Sequence, residues 1–281
     1  MDDCACSGIR RCLLCEDKKD FINAFNTDAS HKNKIKTLMF CIKCQELCST
    51  AVLQDDYLGK SEETCSKHDC IFQIMVSGIT VIEDFITKSE EEFMVEEIEK
   101  FPWRVSQSGR QKQDFGPKVN FKKKKLKTGN FTGLPSFIQF IVKRIHKDIL
   151  QLHDFHPIEL CNLDYSPERG AAIDPHIDDT WLWGERLVTI NLLSDTVLTL
   201  TNLEKLYEIR IPMPRYSLVI LQGDARHVWM HGIKREDIKS RRIAITLREL
   251  SAEFLSGEGY TRTGKPLLEL AESYNGLPTS T

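Results

Sequence analysis

The sequence predicts a mainly β fold with flanking helices, of the α+β class, whose core is a sandwich or jelly roll. From residue 158 onward, short runs rich in Ile, Val and Leu recur between Pro, Gly, Asp and Asn residues. Helical patterns flank these runs and do not alternate with them, which favours a sandwich or jelly roll over a parallel sheet. The predicted strands are 158–165, 187–193, 197–200, 207–211, 217–221 and 243–247.

The first compact elements precede this region. Residues 74–83 have the composition of a strand, and Thr87 and Glu90 have the spacing of a capping box. We expect a helix from there to about Lys100, because Pro102 cannot continue it.

Three further elements are expected outside the strand region. Residues 104–127 have the composition of a loop or hairpin, and 266–274 predict a short helix in a Gly-, Ser- and Pro-rich tail. An amphipathic helix should follow Pro135, because apolar residues recur there every four positions. Those residues are Phe137, Ile141, Ile145 and Ile149.

Length and composition indicate one large core with appendages, or one domain with a second, small one. The chain has 281 residues, 41% of them apolar, and contains no apolar run long enough to span a membrane. Its first twenty residues lack the apolar region of a signal peptide, so we expect a protein of the cytoplasm and nucleus. We predict a Cys-rich segment (1–71), a catalytic domain (72–255) and a C-terminal tail (256–281).

Positive charge is concentrated in one segment. Between Arg104 and Lys127 there are nine basic residues and one acidic residue, whereas the whole chain has a net charge of −3. Lys118–Lys127 could therefore contact the phosphates of a nucleic acid. A solvated face or a nuclear-import signal would have the same composition.

Nine of the ten cysteines lie in the first 70 residues. In a reducing compartment, clustered cysteines are more often metal ligands than disulfides. One cluster has the spacing C-x-C-x5-C-x2-C and predicts a tetrahedral zinc site, with an Fe–S cluster as the alternative and contacts to protein partners as a further use. It consists of Cys4, Cys6, Cys12 and Cys15.

A second group of possible ligands is more loosely spaced. Cys41 and Cys44 form half of a zinc site, and whether the other residues complete it stays open. Those residues are Cys48, Cys65, His68 and Cys70.

His176 and Asp178 predict a metal site in the catalytic domain. In an extended segment their side chains point the same way, about 7 Å apart. A neutral imidazole with a carboxylate suits iron, manganese or zinc, and a second histidine would complete the facial triad of non-haem Fe(II) oxygenases. His227 and His231 are both candidates, because strand alternation cannot choose between them.

Arg242 and Arg248 lie on one face of a predicted strand whose other face is entirely apolar. Two guanidinium groups on a central strand require anionic partners. A cosubstrate with two carboxylates would satisfy both, and internal salt bridges are the alternative.

These residues together resemble the AlkB family of Fe(II)/2-oxoglutarate dioxygenases. The resemblance rests on His176-x-Asp178, on His231-Gly232-Ile233 and on the six-residue separation of Arg242 and Arg248. It covers roughly residues 73–255. The Cys-rich cluster and residues 184–187 and 248–254 are most similar to the fourth animal homologue within that family.

The resemblance implies a double-stranded β-helix with Fe(II), 2-oxoglutarate and O2. It implies that His176, Asp178 and His231 bind the iron, and it therefore favours His231 over His227. It further implies cosubstrate contacts by Arg242, Arg248, Tyr165 and Asn162. One residue too many separates Asn162 from Tyr165, so same-face geometry would require a β-bulge there.

The implied activity is oxidative N-demethylation with release of formaldehyde. The substrate would be methyl-lysine in a protein such as actin, or N6-methyladenine in DNA. Candidate substrate contacts are Phe115, Gly116 and Lys118 in a lid segment, and Trp181 and Trp183 after the metal-binding segment. A catalytically idle zinc-bearing adaptor is the alternative; a metal hydrolase would not need the two arginines.

Overall fold

The computed structural model describes residues 35–49 and 76–279. Its strands are β1 (Lys36–Cys41), β2 (Glu46–Ser49), β3 (Ile79–Ile82), β4 (Arg104–Val105), β5 (Gln111–Phe115), β6 (Lys118–Asn120), β7 (Lys125–Lys127), β8 (Pro157–Tyr165), β9 (Ile173–His176), β10 (Trp183–Leu192), β11 (Thr196–Asn202), β12 (Tyr207–Met213), β13 (Leu218–Leu221), β14 (Met230–Ile233) and β15 (Arg242–Leu250). Its helices are α1 (Lys88–Glu99), α2 (Gln139–Asp148), α3 (Gly223–His227), α4 (Gly257–Gly259) and α5 (Lys265–Ala271).

Two sheets form the body of the protein. The seven-stranded sheet has the order β3-β13-β10-β15-β8-β5-β4, and the six-stranded sheet has the order β2-β1-β12-β11-β14-β9. The pairs are antiparallel except β1 with β12, which run parallel. From β8 to β15 the chain passes repeatedly between the two sheets, so β9 and β14 lie opposite β8 and β15.

Alternation along β15 separates two hydrophobic cores. Ile243, Ile245 and Leu247 point to the outer face of the larger sheet, where α1, α2 and α5 cover them. Ala244 points inward to a second core that fills the space between the sheets. The predicted two-faced character of this strand is confirmed, since period-2 alternation places successive side chains on opposite faces.

The predicted capping box is present at the start of α1. Thr87 Oγ1 accepts from the Glu90 amide at 3.3 Å, and a Glu90 carboxylate oxygen accepts from the Thr87 amide at 2.8 Å. Glu90 also pairs with Arg144 on α2, so one carboxylate joins the two helices that cover the larger sheet.

Several elements differ from the sequence-based expectation. The hairpin β1–β2, which the sequence did not predict, extends the smaller sheet, so residues 36–49 share a sheet with the predicted catalytic domain. The C-terminal tail also contacts that domain, since the Thr279 amide donates to the Asp114 carbonyl at 2.7 Å.

The predicted 104–127 hairpin is present, as β6 paired with β7 beyond the separate β4–β5 pair. None of the described helices has the length and apolar character needed to cross a membrane.

Candidate active site

Three side chains with metal-ligating atoms converge where β9 pairs with β14. His176 and His231 are direct cross-strand partners, and their ring centroids lie 4.3 Å apart. Asp178 follows β9, with Oδ1 3.4 Å from His176 Nε2. One ligand atom from each residue lies within 4.8 Å of the others, and within the described ranges no other group of three such residues does so.

The protonation of the triad suits a metal ion. His176 Nδ1 lies 2.9 Å from the Asp174 carbonyl and donates to it, which leaves the lone pair of Nε2 towards the centre of the triad. Enclosure by protein lowers the pKa of His231 to about 3, and the neighbouring His176 acts in the same direction. Nδ1 of His231 is buried and has no hydrogen-bond partner in the part of the chain that the structure describes. Two neutral imidazoles and a carboxylate are the donor set of non-haem Fe(II) sites, so the residues fit that ion.

Arg248 holds the carboxylate of the triad. Its Nε donates to Asp178 Oδ2 at 2.8 Å, and its Nη1 donates to Glu159 Oε2 at 2.6 Å. Burial by itself would raise the pKa of Asp178, but the charge of Arg248 holds it well below its usual range. Asp178 is therefore charged at neutral pH. Arg248 forms internal salt bridges, the alternative that spacing alone had left open.

Arg242 has a different environment. It is 2% exposed, and its Nε donates to Asn191 Oδ1 at 2.6 Å. Its Cζ lies 4.9 Å from the ring centroid of Tyr165. Among residues 35–49 and 76–279 no carboxylate forms an ion pair with it, and burial lowers the pKa of its guanidinium. A buried cation without an anionic partner is costly unless a ligand supplies the negative charge.

A narrow cavity of about 70 Å³ joins the triad to Arg242. Its ends are polar, with the triad and Arg248 at one end and Arg242 and Tyr165 at the other. Between them the walls are mainly apolar and come from both sheets, so they offer a water molecule few hydrogen-bond partners. These walls include Leu163, Leu187, Leu198, Val219, Leu221 and Ile233.

A larger cavity of about 610 Å³ opens on the other side of the triad. It shares His176, Asp178 and Arg248 with the narrow cavity. Its remaining walls combine charged groups with apolar side chains at the mouth, where Val105 is 61% and Phe121 is 54% exposed. The charged side chains, the thiol and the tryptophan of this wall are Arg110, Lys112, Asp114, Glu159, Asp179, Cys161 and Trp183.

The two tryptophans of the predicted substrate contacts have different surroundings. Trp183 lines the larger cavity, with the Cζ of Arg248 5.7 Å from its ring centroid. Trp181 does not line it; its ring packs against Phe254, with centroids 6.4 Å apart, and its Nε1 donates to Asp179.

The three residues of the predicted lid segment also have different environments. Phe115 is fully buried against Phe101 and Phe137 on the outer face of the larger sheet, because Asp114 takes the cavity-facing position of β5. Gly116 packs so closely on β8 that an added Cβ would lie 2.8 Å from Glu159 Cγ. Lys118 is exposed on the β6–β7 hairpin and lines neither cavity.

Asn162 lies on the opposite face of β8 from the cavity. Its Nδ2 donates to Gln113 Oε1 at 3.0 Å, and Leu163 takes the cavity-facing position two residues before Tyr165. The register of β8 with β15 is regular from Asn162 to Tyr165. This segment therefore has no β-bulge that would place Asn162 on the same face as Tyr165. The structure therefore does not support the cosubstrate contact predicted for Asn162.

Tertiary structure also separates the two candidate histidines. His227 is on α3, where its Nε2 lies 2.8 Å from Glu185 Oε2 on the protein surface. His231 is on β14 beside His176. Sequence reasoning missed Asn191, Glu159 and Asp114, although Asn191 has the same strand parity as the cavity residues Leu187 and Thr189.

The cysteine predictions fall mostly outside the described residues. This holds for Cys4, Cys6, Cys12 and Cys15, and for Cys65, His68 and Cys70. Cys41 ends β1 and is buried, and Cys44 lies half-buried in the turn before β2.

Comparison with known proteins shows the family. The chain is 41% identical over 99% of its length to mouse "Alpha-ketoglutarate-dependent dioxygenase alkB homolog 4", covering 97% of that protein. It is 40% identical to the human protein of the same name, over 98% of this chain and 95% of that one. The chain belongs to the AlkB family. A Caenorhabditis elegans relative named "DNA N6-methyl adenine demethylase" is 36% identical over 95% of this chain and 94% of its own length.

These three relatives match along nearly the whole chain. No family model matches the sequence. The relatives are named as dioxygenases that depend on α-ketoglutarate, the same compound as 2-oxoglutarate, and one is named for a nucleic-acid substrate.

Proposed function

We propose that this AlkB protein is an Fe(II)/2-oxoglutarate dioxygenase that removes an N-methyl group from a macromolecule. The observation that carries the proposal is the narrow cavity with a metal-ligating triad at one end and, at the other, Arg242, a buried cation that has no anionic partner within residues 35–49 and 76–279. A dicarboxylic acid that chelates the metal with one end would supply the missing negative charge with the other. We also propose that β8 to β15 form a double-stranded β-helix.

In this proposal His176, Asp178 and His231 bind the iron. The tautomer of His176 is set by the Asp174 carbonyl, and the charge of Asp178 is maintained by Arg248. Arg242 and Tyr165 bind the distal carboxylate of 2-oxoglutarate. The apolar middle of the cavity keeps water from this end, which strengthens the ionic contact.

Iron with 2-oxoglutarate would supply the activation of O2 and the oxidation of the methyl C–H bond. In the overall reaction O2 oxidises two compounds: 2-oxoglutarate becomes succinate and CO2, and the N-methyl group becomes N-hydroxymethyl. The hydroxymethyl group then leaves as formaldehyde, and the amine nitrogen regains its proton. The protein contributes positioning and a water-poor cavity.

The substrate would enter through the larger cavity, which reaches the triad from the other side. Trp183 and Asp179 are on its wall, and the lysine-rich β6–β7 hairpin is near its mouth through Phe121. We propose methyl-lysine in an actin-like protein or N6-methyladenine in DNA as the substrate, acting in the cytoplasm or nucleus.

Turnover of candidate substrates tests the proposal. The full-length Fe(II) protein should convert 2-oxoglutarate to succinate, and one of two substrates should release formaldehyde in an amount equal to the succinate formed above the level without substrate. These are a methyl-lysine peptide and an N6-methyladenine oligonucleotide, with their unmethylated forms as controls. Asp178→Ala should abolish both products. A folded, iron-loaded protein that forms no succinate with any substrate would instead support the adaptor function.

We further propose that Cys4, Cys6, Cys12 and Cys15 bind zinc and take no part in oxidation. Deleting residues 1–20 should remove about one zinc per chain, measured by elemental analysis, while succinate formation without substrate persists. Loss of that basal activity with the iron site still loaded would contradict the separation of roles.

A further inference from the structure

Asn191 lies directly behind Arg242. It follows Leu187 and Thr189 on the inward face of β10, and its side chain is fully buried. Its Oδ1 accepts from Arg242 Nε at 2.6 Å. Asn191 does not itself line the narrow cavity, so any effect on a ligand there must act through Arg242.

Three carbonyl groups determine the orientation of the Asn191 amide. The two hydrogens of its Nδ2 are shared among the carbonyl oxygens of Ser194 at 2.9 Å, Met213 at 2.8 Å and Pro214 at 3.0 Å. A flipped amide would place its oxygen against all three carbonyl oxygens, so Oδ1 must face the guanidinium. Ser194 precedes β11, and Met213 and Pro214 lie at the end of β12. The Asn191 amide therefore connects Arg242 through hydrogen bonds to the backbone at this end of the cavity.

The neutrality of Asn191 is as important as its position. An aspartate of the same shape could accept from Arg242 Nε in the same place, and would neutralise the guanidinium inside the protein. Glu159 and Asp178 do this to Arg248 at the other end of the cavity. Asn191 fixes one edge of Arg242 and leaves its charge uncompensated.

We propose that Asn191 is a positioning residue that makes the cavity selective for a dicarboxylate. It orients Arg242 through a neutral acceptor, so that the charge of the guanidinium is available only to the distal carboxylate of the ligand. This inference rests on the proposed function, since it takes 2-oxoglutarate as the ligand.

Binding of two oxo acids tests this role without turnover. The full chain loaded with Mn(II) is titrated by calorimetry with 2-oxoglutarate and with 2-oxopentanoate, which has the same carbon chain but no distal carboxylate. The native protein should prefer 2-oxoglutarate by about 100-fold or more. Asn191→Asp should remove most of this preference by weakening 2-oxoglutarate alone, and Asn191→Ala should reduce it about tenfold. The alanine variant decides the test if the aspartate variant does not fold.

Asn162→Asp is the matched control. Asn162 is equally buried and lies on β8, which pairs with β15 on the side opposite β10, but it faces away from the cavity. Its variant should be less stable and keep the native ligand preference. Equal weakening of both oxo acids by the Asn191 variants, or the same loss of preference in Asn162→Asp, would overturn the positioning role. A native protein without any preference for 2-oxoglutarate would overturn the proposed function as well.

Discussion

Arg248 and Asp178 form an ion pair inside the protein, in which Arg248 Nε donates to Asp178 Oδ2 at 2.8 Å. The other carboxylate oxygen, Oδ1, remains 3.4 Å from His176 Nε2 at the centre of the triad. The ion pair thus fixes one oxygen of the carboxylate and leaves the second for a metal ion. Glu159, on the far side of Arg248, shares the same guanidinium.

Arg248→Met should weaken metal binding and stability together. The variant keeps an unbranched apolar stem but leaves Asp178 and Glu159 without their cation, a loss of about 3–5 kcal/mol for a buried pair. Mn(II) titration and urea unfolding measure the two effects. Adding Glu159→Gln removes one of the stranded charges and should recover part of the stability. Native metal affinity in Arg248→Met would show that Asp178 does not depend on the ion pair.

His231→Ala should lose metal binding, whereas His227→Ala should keep it. The ring of His231 lies beside that of His176, but His227 pairs with Glu185 on the surface. Mn(II) affinity of the two variants, each checked for folding by circular dichroism, compares the histidines directly. The opposite result would assign the third ligand to His227.

Arg242→Ala should raise the dissociation constant of 2-oxoglutarate by about two to three orders of magnitude, which corresponds to about 3–5 kcal/mol for one partner of a buried pair. Metal affinity should change far less, because the three ligating residues remain. Arg242→Lys should recover only part of the binding, since an ammonium group cannot present two parallel donors. The measurement is anaerobic titration of the Fe(II) protein followed by its charge-transfer absorbance. A native titration curve for the alanine variant would remove Arg242 from the site.

Lowering the pH should weaken the contact between α1 and α2, because protonation of Glu90 removes its ion pair with Arg144. The hydrogen bond from Arg144, with those from Thr87, lowers the pKa of Glu90 to about 2 against a burial effect of opposite sign. A carboxyl whose pKa is lower in the folded state stabilises the protein above its unfolded pKa of 4.5, and this contribution is lost as pH falls from there towards 2.

Glu90→Gln should therefore cost only about 1 kcal/mol at pH 7, because the ion pair is partly exposed and screened by solvent. The cost should shrink as the pH falls below 4. Urea unfolding at a series of pH values measures it, with Glu92→Gln on the exposed face of α1 as the control. A cost independent of pH would mean that the ion pair does not contribute.

Substitution of the lysines in the β6–β7 hairpin tests whether the substrate is a nucleic acid or a protein. Replacing Lys122–Lys125 with Gln should weaken binding of an N6-methyladenine oligonucleotide and reduce its salt dependence, because fewer phosphates would be neutralised. Binding of a methyl-lysine peptide should change less. The control replaces four exposed lysines elsewhere: Lys143, Lys147, Lys205 and Lys239. Equal loss of oligonucleotide binding in both variants would show a general charge effect and no docking site.

Local patterns along the chain were sufficient to predict several structural elements. The alternation of Arg242 to Arg248 predicted one polar and one apolar face, and the structure shows those faces. The Thr87–Glu90 spacing predicted the start of α1. These features depend on a few consecutive residues and on backbone geometry, so they can be recognised in the sequence alone.

The sequence by itself determined the kinds of groups at the site: two imidazoles, a carboxylate and two guanidiniums. Only the tertiary structure decided which of them meet. The pairing of β9 with β14 selected His231, and the regular register of β8 turned Asn162 away from the cavity. Long-range pairing also brought Asn191 to Arg242 and Glu159 to Arg248. The physical reason is that alternation sets only the face of a strand on which a side chain lies, whereas its neighbours across the sheet depend on the register between distant segments.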